Sequence, residues 1–569
     1  MTYNPKNPLI VQSDHTVLIE VDSPFYPAAR DRLAGFAELV KSPEYIHTYR
    51  ITPLSIWNAC AAGMQATELT ESLQQFSKYP VPEHVLYEIH DYASRYGRLR
   101  LSRNEQGLIL FSTDEMLAEE IAHNRHVNPF LGERLSSVEF LIHPANRGRI
   151  KQALIKIGFP AEDIAGYTDG EAIDISLSDI ALSGDAFSLR PYQWKAAATY
   201  YAGGTARGGS GVVVLPCGAG KTIVGIACMS HVRSSTLILT TSVTATRQWI
   251  AELLDKTSLT EDQIGEYNGN SKEVRPVTIA TYQIMTYRKS REAAFEHLDL
   301  FDQRNWGLII YDEVHLLPAP VFQITADIQA RRRLGLTATL VREDGREDDV
   351  FALIGPKKVD VPWKEMEGQG WIAKARCSEI RLDMPDDLRM TYAVADARKK
   401  FRIASENPLK LQVARRIIAL HEDEQILLIG MYLDQLKLIA RELDIPVLTG
   451  STTQKKRDLL YSDFKEKKLR VLAVSKVANF AVDLPDASVA IQISGTYGSR
   501  QEEAQRLGRI LRPKQELNQA FFYTIVTRDT VEQDFALKRQ LFLCEQGYEY
   551  HIETADAVTE ENCQCTISE

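Results

Sequence analysis

The chain has 569 residues, too many for one hydrophobic core, and its length predicts three or four domains. A composition of 44% hydrophobic and 25% charged residues is that of an ordinary water-soluble globular protein. No run approaches the roughly 18 uncharged apolar residues of a membrane span. The formal charge of -10 argues against indiscriminate nucleic-acid binding by the whole surface but does not exclude a local basic groove. The start, Asn4-Pro5-Lys6-Asn7-Pro8, lacks the basic-then-apolar pattern of a secretory signal, so a cytoplasmic setting is expected. The seven cysteines show no doubled short spacing of the kind structural zinc needs, and they read as buried or incidental thiols.

In chain order, residues 1–125 read as an α+β accessory domain: strand-like Pro8 to Val11 and Val17 to Val21, then helical material through about Leu99. Residues 126–185 read as a small βαβ unit made of Val138 to Ile142, a helix over Arg147 to Ile157, and Ala172 to Leu177. From 186 to 365, apolar runs alternate with helical stretches, the signature of a parallel α/β sheet. Its strands are expected at Val212 to Leu215, Thr236 to Leu239, Val277 to Ala280, Leu308 to Tyr311 and Arg333 to Leu336.

A second alternating series fills 366–550, with strands at Ile426 to Ile429, Val447 to Leu448, Val471 to Val474, Val489 to Ile493 and Phe521 to Val526. It has no phosphate-binding loop of its own. A charged, helical segment at about 383–409 interrupts its start, and residues 551–569 form an acidic, polar tail that is expected to be disordered.

The chemistry concentrates at the C-terminal ends of the first series of strands, where a doubly wound sheet holds its ligand. Gly218-Ala219-Gly220-Lys221-Thr222 follows one strand and opens a helix. A nucleoside triphosphate carries about four negative charges, and glycines let backbone N–H groups approach them closely. Lys221 would then neutralise the β and γ phosphates and Thr222 would coordinate Mg²⁺. The loop departs from the general formula in having Leu215 where its first glycine belongs. Asp312-Glu313-Val314-His315 ends another strand, which places Asp312 to hold the Mg²⁺ water shell and Glu313 to orient the attacking water. Far downstream, Gln505, Arg509 and Arg512 recur at helical spacing and so share one helix face. Arginines delivered to a γ phosphate stabilise transition-state charge and are worth a rate factor of roughly 10³ to 10⁵.

Taken in order, Leu189-Arg190-Pro191-Tyr192-Gln193, the loop at Gly218, Asp312-Glu313-Val314-His315, Leu336-Thr337-Ala338-Thr339 and the arginine helix resemble the motif series of superfamily 2 helicases. Arg342-Glu343-Asp344, Ser475-Lys476-Val477, Asp483-Leu484-Pro485 and Gln505 to Arg512 narrow the resemblance to the XPB family of DNA repair helicases, prokaryotic in type. It runs strongly over about 185–551 and more weakly before that. The fold it implies is two tandem RecA-like parallel-sheet lobes, the first binding ATP and Mg²⁺, preceded by α+β accessory domains. In that frame Gln193 and Arg190 would recognise adenine, Asp483 would approach the ribose, and Thr337 and Thr339 would couple hydrolysis to lobe closure. His315 would link the γ phosphate to the nucleic-acid groove.

The resemblance further implies that Thr241, Thr281 and Ser475 contact one strand's phosphates and that Arg342, Glu343 and Asp344 form a strand-separation element. Arg398, Lys399 and Lys400 fall in the segment that corresponds to the family's thumb, and the βαβ unit corresponds to its damage-recognition domain. The bland alternatives are helix caps for Thr241 and Thr281 and an exposed basic helix face for 398–400. The expected activity is ATP-dependent 3′-5′ DNA unwinding in DNA repair, alongside a nuclease or another repair protein, near the nucleoid. A duplex-tracking translocase, an RNA helicase and an ATP-switched binding subunit are the rival readings.

Overall fold

The structure, a computed structural model, describes residues 3–41, 45–182, 184–205, 208–216, 218–289, 295–328, 331–338, 347–361, 363–475, 487–495, 506–508, 510–511, 518–545, 548 and 550–555. Two compact units emerge, one built essentially from residues 1–361 and the other from 362–569.

The first unit begins with a four-stranded sheet in the order Leu9–Val11, Thr16–Glu20, Ile46–Arg50, Glu38–Lys41, covered by helices Tyr26–Leu33, Pro53–Ala61, Ala66–Phe76 and Glu83–Arg95. The strands at 38–41 and 46–50 lie where only helix was expected. In the strand at 46–50 the two-residue alternation is carried by polar types: His47 and Tyr49 are the inward residues, and the Tyr26 hydroxyl meets His47 Nδ1 at 3.0 Å. A hydropathy pattern misses such a strand.

A second four-stranded sheet runs Glu139–Ile142, Gly107–Ser112, Leu99–Asn104, Ala161–Asp163, with helix Arg147–Lys156 between its outer two strands in sequence. Half of this sheet comes from residues before 125, so the accessory region does not part at 125/126. The closing strand is 161–163 and not 172–177. Ala172 and Leu177 make only single bridges, to Ser234 and Thr257, and their alternation buries Ile173 and Ile175 along the following α/β domain instead.

Behind this sheet lies a buried charge cluster. Asp163 accepts from Arg147 at 2.7 and 3.1 Å and from Lys151 at 3.0 Å, and the Tyr167 ring lies under both the Arg147 and Arg333 guanidinium groups at 5.3 and 5.4 Å. Arg333, fully buried, belongs to the α/β domain and donates to the Leu353 carbonyl. Burial and the neighbouring cations push the Lys151 ammonium down to about 7.

The α/β domain of the first unit is a seven-stranded, all-parallel sheet of Ile264–Tyr267, Val277–Thr281, Thr236–Thr240, Leu308–Asp312, Arg332–Thr337, Ser210–Val214 and Lys357–Asp360. The second unit holds another, in the order Val447–Leu448, Val471–Ser475, Ile426–Gly430, Val489–Gln492, Gln519–Thr527, Lys374–Leu382, Tyr550–Thr554. With the strands of each sheet numbered in chain order, both read 3-4-2-5-6-1-7. The two α/β lobes are therefore topological copies, as expected.

The expected central strands are present, each extended by a residue or two or matched within one. The strands missing from the expectation are mostly edges, short or charged (264–267, 357–360, 550–554), as edges that avoid sheet-to-sheet association tend to be. The exception, 374–382, is internal. It carries a buried Glu379 that accepts from Arg381 at 2.6 Å and Gln540 at 2.5 Å, which breaks its apolar run. The last strand takes the second lobe to Thr554, past the expected 550/551 boundary. The segment at 383–409 is a pair of helices, Asp386–Val394 and Ala397–Ser405.

Candidate active site

Strand Ser210–Val214 is wholly apolar from Val212 on, as a strand buried on both faces must be, and the chain then turns through Gly218 (φ +82°) and Gly220 (φ +76°) into helix Lys221–Val232. Gly220 is the residue before the helix, left-handed, and a Cβ there would lie 2.7 Å from Gln193 Nε2. Glycine is required on both counts. The helix start leaves its first N–H groups without intrahelical acceptors at the edge of the sheet, an anion-binding arrangement. Replacing Gly220 with alanine is expected to weaken nucleotide binding about tenfold, from a left-handed penalty of about 1–2 kcal/mol, and a fluorescent-nucleotide titration measures it.

The carboxylates arrive from the end of one strand, separated from Ser210–Val214 by strand Arg332–Thr337. Asp312 is the last residue of Leu308–Asp312, and Glu313, in the left-handed region at φ +51°, starts the turn after it. That non-glycine backbone turns the Glu313 side chain toward the helix start, where Oε1 lies 3.3 Å from Lys221 Nζ. Glu313 Oε2 is 3.5 Å from His315 Nδ1, but that nitrogen bonds the Thr337 hydroxyl at 2.7 Å, and Oε2 makes no hydrogen bond among the described residues. Asp312 is held from two sides: Trp249 Nε1 donates to its carboxylate at 3.0 Å and the Tyr282 hydroxyl donates to its carbonyl at 3.0 Å.

Burial first, and then the Glu313 charge beside it, push the Asp312 carboxyl up to about 6. Burial alone would raise Glu313 as well, but Lys221 and His315 outweigh it and hold Glu313 below the usual range. One carboxylate thus stays ionised, and the other is under-supplied with positive charge. A divalent cation would complement that deficit, and Thr222, the second residue of the helix, could share in holding it.

Of the other expected residues of the first lobe, Arg190, Gln193, Thr241 and Thr281 are described. Gln193 is buried at the start of helix Pro191–Tyr201, with its Oε1 accepting from Arg190 N at 3.0 Å, so Arg190 and Gln193 form one capping unit beside Gly220. Thr241 follows strand Thr236–Thr240, and Thr281 ends its neighbour, paired with Thr240. Thr281 Oγ1 accepts from Ile284 N at 3.3 Å and so caps the next short helix, whereas Ser242, not Thr241, caps helix Val243–Lys256.

In the second unit, Ser475 ends a strand and is buried. Arg398 and Lys399 are exposed on helix Ala397–Ser405, while Lys400 lies over the Tyr392 ring at 5.6 Å. Thr339, Arg342, Glu343, Asp344, Asp483, Gln505, Arg509 and Arg512 lie outside the described residues. Their neighbours Arg506, Leu507 and Ile510 are buried, and Arg506 donates to Gln492 Oε1.

Sequence reasoning missed Trp249 and Tyr282, which hold Asp312, and Gly225. A Cβ at Gly225 would sit 2.5 Å from Trp249 Cη2, so this glycine in the phosphate-loop helix admits the indole that reaches Asp312. No spacing rule joins residues 225, 249 and 312; only the crossing of three elements does.

A phosphate-binding loop on a doubly wound parallel sheet, with an Asp-Glu pair at the end of a nearby strand, defines a nucleoside triphosphatase of the two-lobed helicase class. Residues 366–569 match the family model of the ERCC3/RAD25/XPB C-terminal helicase, 186–342 that of the type III restriction enzyme res subunit, and 9–136 that of a helicase conserved C-terminal domain. The DNA 3′-5′ helicase XPB of Kineococcus radiotolerans is 54% identical over 97% of this chain and 97% of its own length. The protein of the same name from Mycobacterium tuberculosis is 55% identical over 96% and 98%. The general transcription and DNA repair factor IIH subunit XPB/SSL2 of Saccharomyces cerevisiae is 30% identical over 96% of this chain and 72% of that protein. The chain belongs to the XPB helicase family.

Proposed function

We infer that this chain is an ATP-dependent 3′-5′ DNA helicase that unwinds DNA during repair. The observation that carries the reading is the 3.3 Å contact of Lys221 with Glu313, beside Asp312 and at the start of the phosphate-loop helix. Before nucleotide arrives, Lys221 neutralises the buried Glu313. The triphosphate then draws Lys221 to its β and γ phosphates, and Glu313 is left to orient and polarise the attacking water. Thr222 and Asp312 would hold Mg²⁺ with the nucleotide, and the ion would supply charge neutralisation at the phosphates.

Gln193 and Arg190 read adenine, and Asp483 takes the ribose. Gln505, Arg509 and Arg512 from the second lobe stabilise the charge that develops on the terminal phosphate. The chain His315–Thr337 connects the water-orienting carboxylate to the strand end from which Thr339 follows, a route from hydrolysis to lobe movement. Thr241, Thr281 and Ser475 track one DNA strand, Arg342, Glu343 and Asp344 part the duplex, and Arg398, Lys399 and Lys400 steady it.

No helix among the described residues is long and apolar enough to cross a membrane. We place the protein in the cytoplasm at the nucleoid, working beside a nuclease or another repair protein. The test is ATP hydrolysis and unwinding measured together on 3′-tailed, 5′-tailed, forked and RNA substrates. DNA-stimulated hydrolysis with unwinding of the 3′-tailed and forked duplexes is expected, and tracking along duplex without strand separation, or stimulation by RNA alone, would overturn the assignment.

A further inference from the structure

The identical strand order of the two lobes makes their positions comparable, and one comparison stands out. In the first lobe, the helix after strand one begins with Lys221, which faces Glu313 just past strand five. In the second lobe, the helix that follows strand one and its helical insertion begins with Lys410. Its Nζ donates to the carbonyl of Ile493, again just past strand five, at 2.8 Å.

No phosphate-binding loop precedes Lys410, however, and its charge is matched within the protein: Glu532 Oε1 accepts from Nζ at 2.6 Å, with both side chains essentially fully buried (0% and 1% exposed). Glu532 Oε2 accepts the amide of Thr527, the last residue of strand Gln519–Thr527, at 3.0 Å. A buried ion pair this fully hydrogen-bonded specifies one arrangement of the parts it joins.

Those parts are the helical insertion and the rim of the second sheet. Thr527 Oγ1 donates to the Ala404 carbonyl at 2.7 Å and accepts from Asn407 Nδ2 at 3.2 Å, and Asn407 Nδ2 also reaches the Asp383 carbonyl at 3.0 Å, tying together the two ends of the insertion. The Tyr392 hydroxyl accepts from Val531 N at 2.9 Å, and Phe401 meets Phe535 edge-on at 5.1 Å. On the other side of the pair, Ile493 is the first residue past strand Val489–Gln492.

We propose that Lys410 and Glu532 are positioning residues that occupy the second lobe's counterpart of the phosphate-loop lysine site and use it to lock the 386–405 helical pair to the strand ends of the second sheet at Ile493 and Thr527. The pair takes no part in binding nucleotide. It makes the basic face at Arg398 and Lys399 move with the second sheet as one part, so that lobe movement driven by ATP turnover is delivered to DNA. This inference rests on the helicase reading above.

The test uses the full chain with Lys410→Met, which strands the Glu532 charge, with the double variant Lys410→Met/Glu532→Leu, which removes both charges, and with Asn407→Ala, which loosens only the base of the insertion. Folding is checked by circular dichroism, and DNA-stimulated ATPase kcat and KM and 3′-tailed unwinding are measured side by side. In the folded double variant and in Asn407→Ala, ATPase is expected to stay within about threefold of the parent while unwinding falls by on the order of ten- to a hundredfold, the scale of loss from a misplaced working part. Lys410→Arg, which keeps the charge, is expected to recover part of the unwinding. Parallel loss of ATPase and unwinding, or no loss of either in the folded variants, would overturn the proposal. Absence of unwinding in the parent chain would instead overturn the helicase reading, so the two failures are distinguishable.

Discussion

Glu313→Gln is expected to abolish turnover while leaving nucleotide binding in place. The substitution keeps the side chain's size and its acceptor toward Lys221 but removes the charge that orients and polarises water. Loss of a positioned general base costs about 10²–10⁴ in rate, so DNA-stimulated ATPase kcat should fall by that factor with KM changed far less. Lys221→Ala should behave differently. Its ammonium meets the phosphates in the ground state as well as the transition state, so KM should rise and kcat fall together, and the buried Glu313 would lose the partner it has at 3.3 Å. Steady-state ATPase and a nucleotide titration on both variants separate the two roles. Hydrolysis at the parent rate in Glu313→Gln would show that another group activates water.

The second large effect is on stability. Asp163→Asn would leave Arg147 and Lys151, only 2% and 6% exposed, without their shared carboxylate. Removing one member of a buried charge network costs about 3–5 kcal/mol, much of it the penalty of the stranded cations. Because Arg333 of the α/β domain adjoins the cluster through Tyr167, the loss should loosen the small accessory sheet from that domain as well as soften it internally. Thermal or urea unfolding reports the first, and hydrogen exchange over 139–163 the second.

The pH dependence has a definite sign. Lys151 titrates near 7 in the folded chain and near 10.5 when exposed, so between those values the unfolded chain binds more protons. Stability from this group is therefore absent below about 7 and rises toward 10.5, by up to about 1.4 kcal/mol per pH unit. Asp163 moves oppositely to an ordinary buried acid: despite burial, Lys151 and Arg147 hold its carboxyl well below the usual range, so its contribution is present above the unfolded carboxylate pKa and is lost only in strong acid. Lys151→Met should flatten the rise between pH 7 and 10, and an unchanged slope would remove Lys151 as its source.

Much of the site was legible before any coordinates, because phosphate chemistry demands local features. A glycine loop, its lysine and its threonine are contiguous, and the strand that carries Asp312 and Glu313 is an unbroken apolar run, so a linear reading finds both. The threonines at strand ends, Thr241 and Thr281, were singled out only by the family resemblance. What it could not find is whatever depends on three elements meeting: the indole of Trp249 on Asp312, the gap at Gly225 that admits it, and the His315–Thr337 bond. The accessory domains were read least well, since their inward strand positions use His47 and Tyr49 and their second sheet draws on both sides of an expected boundary.

Local patterning by itself determined that there are two α/β lobes and that the glycine loop at 218–222 follows a strand of the first and opens a helix. Only the tertiary structure decided that the two sheets share one strand order, that Lys410 stands at the second lobe's counterpart of the loop lysine with Glu532 as its partner, and that Arg147, Lys151, Asp163 and Arg333 form one buried cluster. The physical reason is range. Backbone periodicity and loop chemistry act between near neighbours in sequence, whereas a buried charge finds its partner wherever the fold excludes water, and residues 410 and 532, or 147 and 333, meet only once the chain has closed around them.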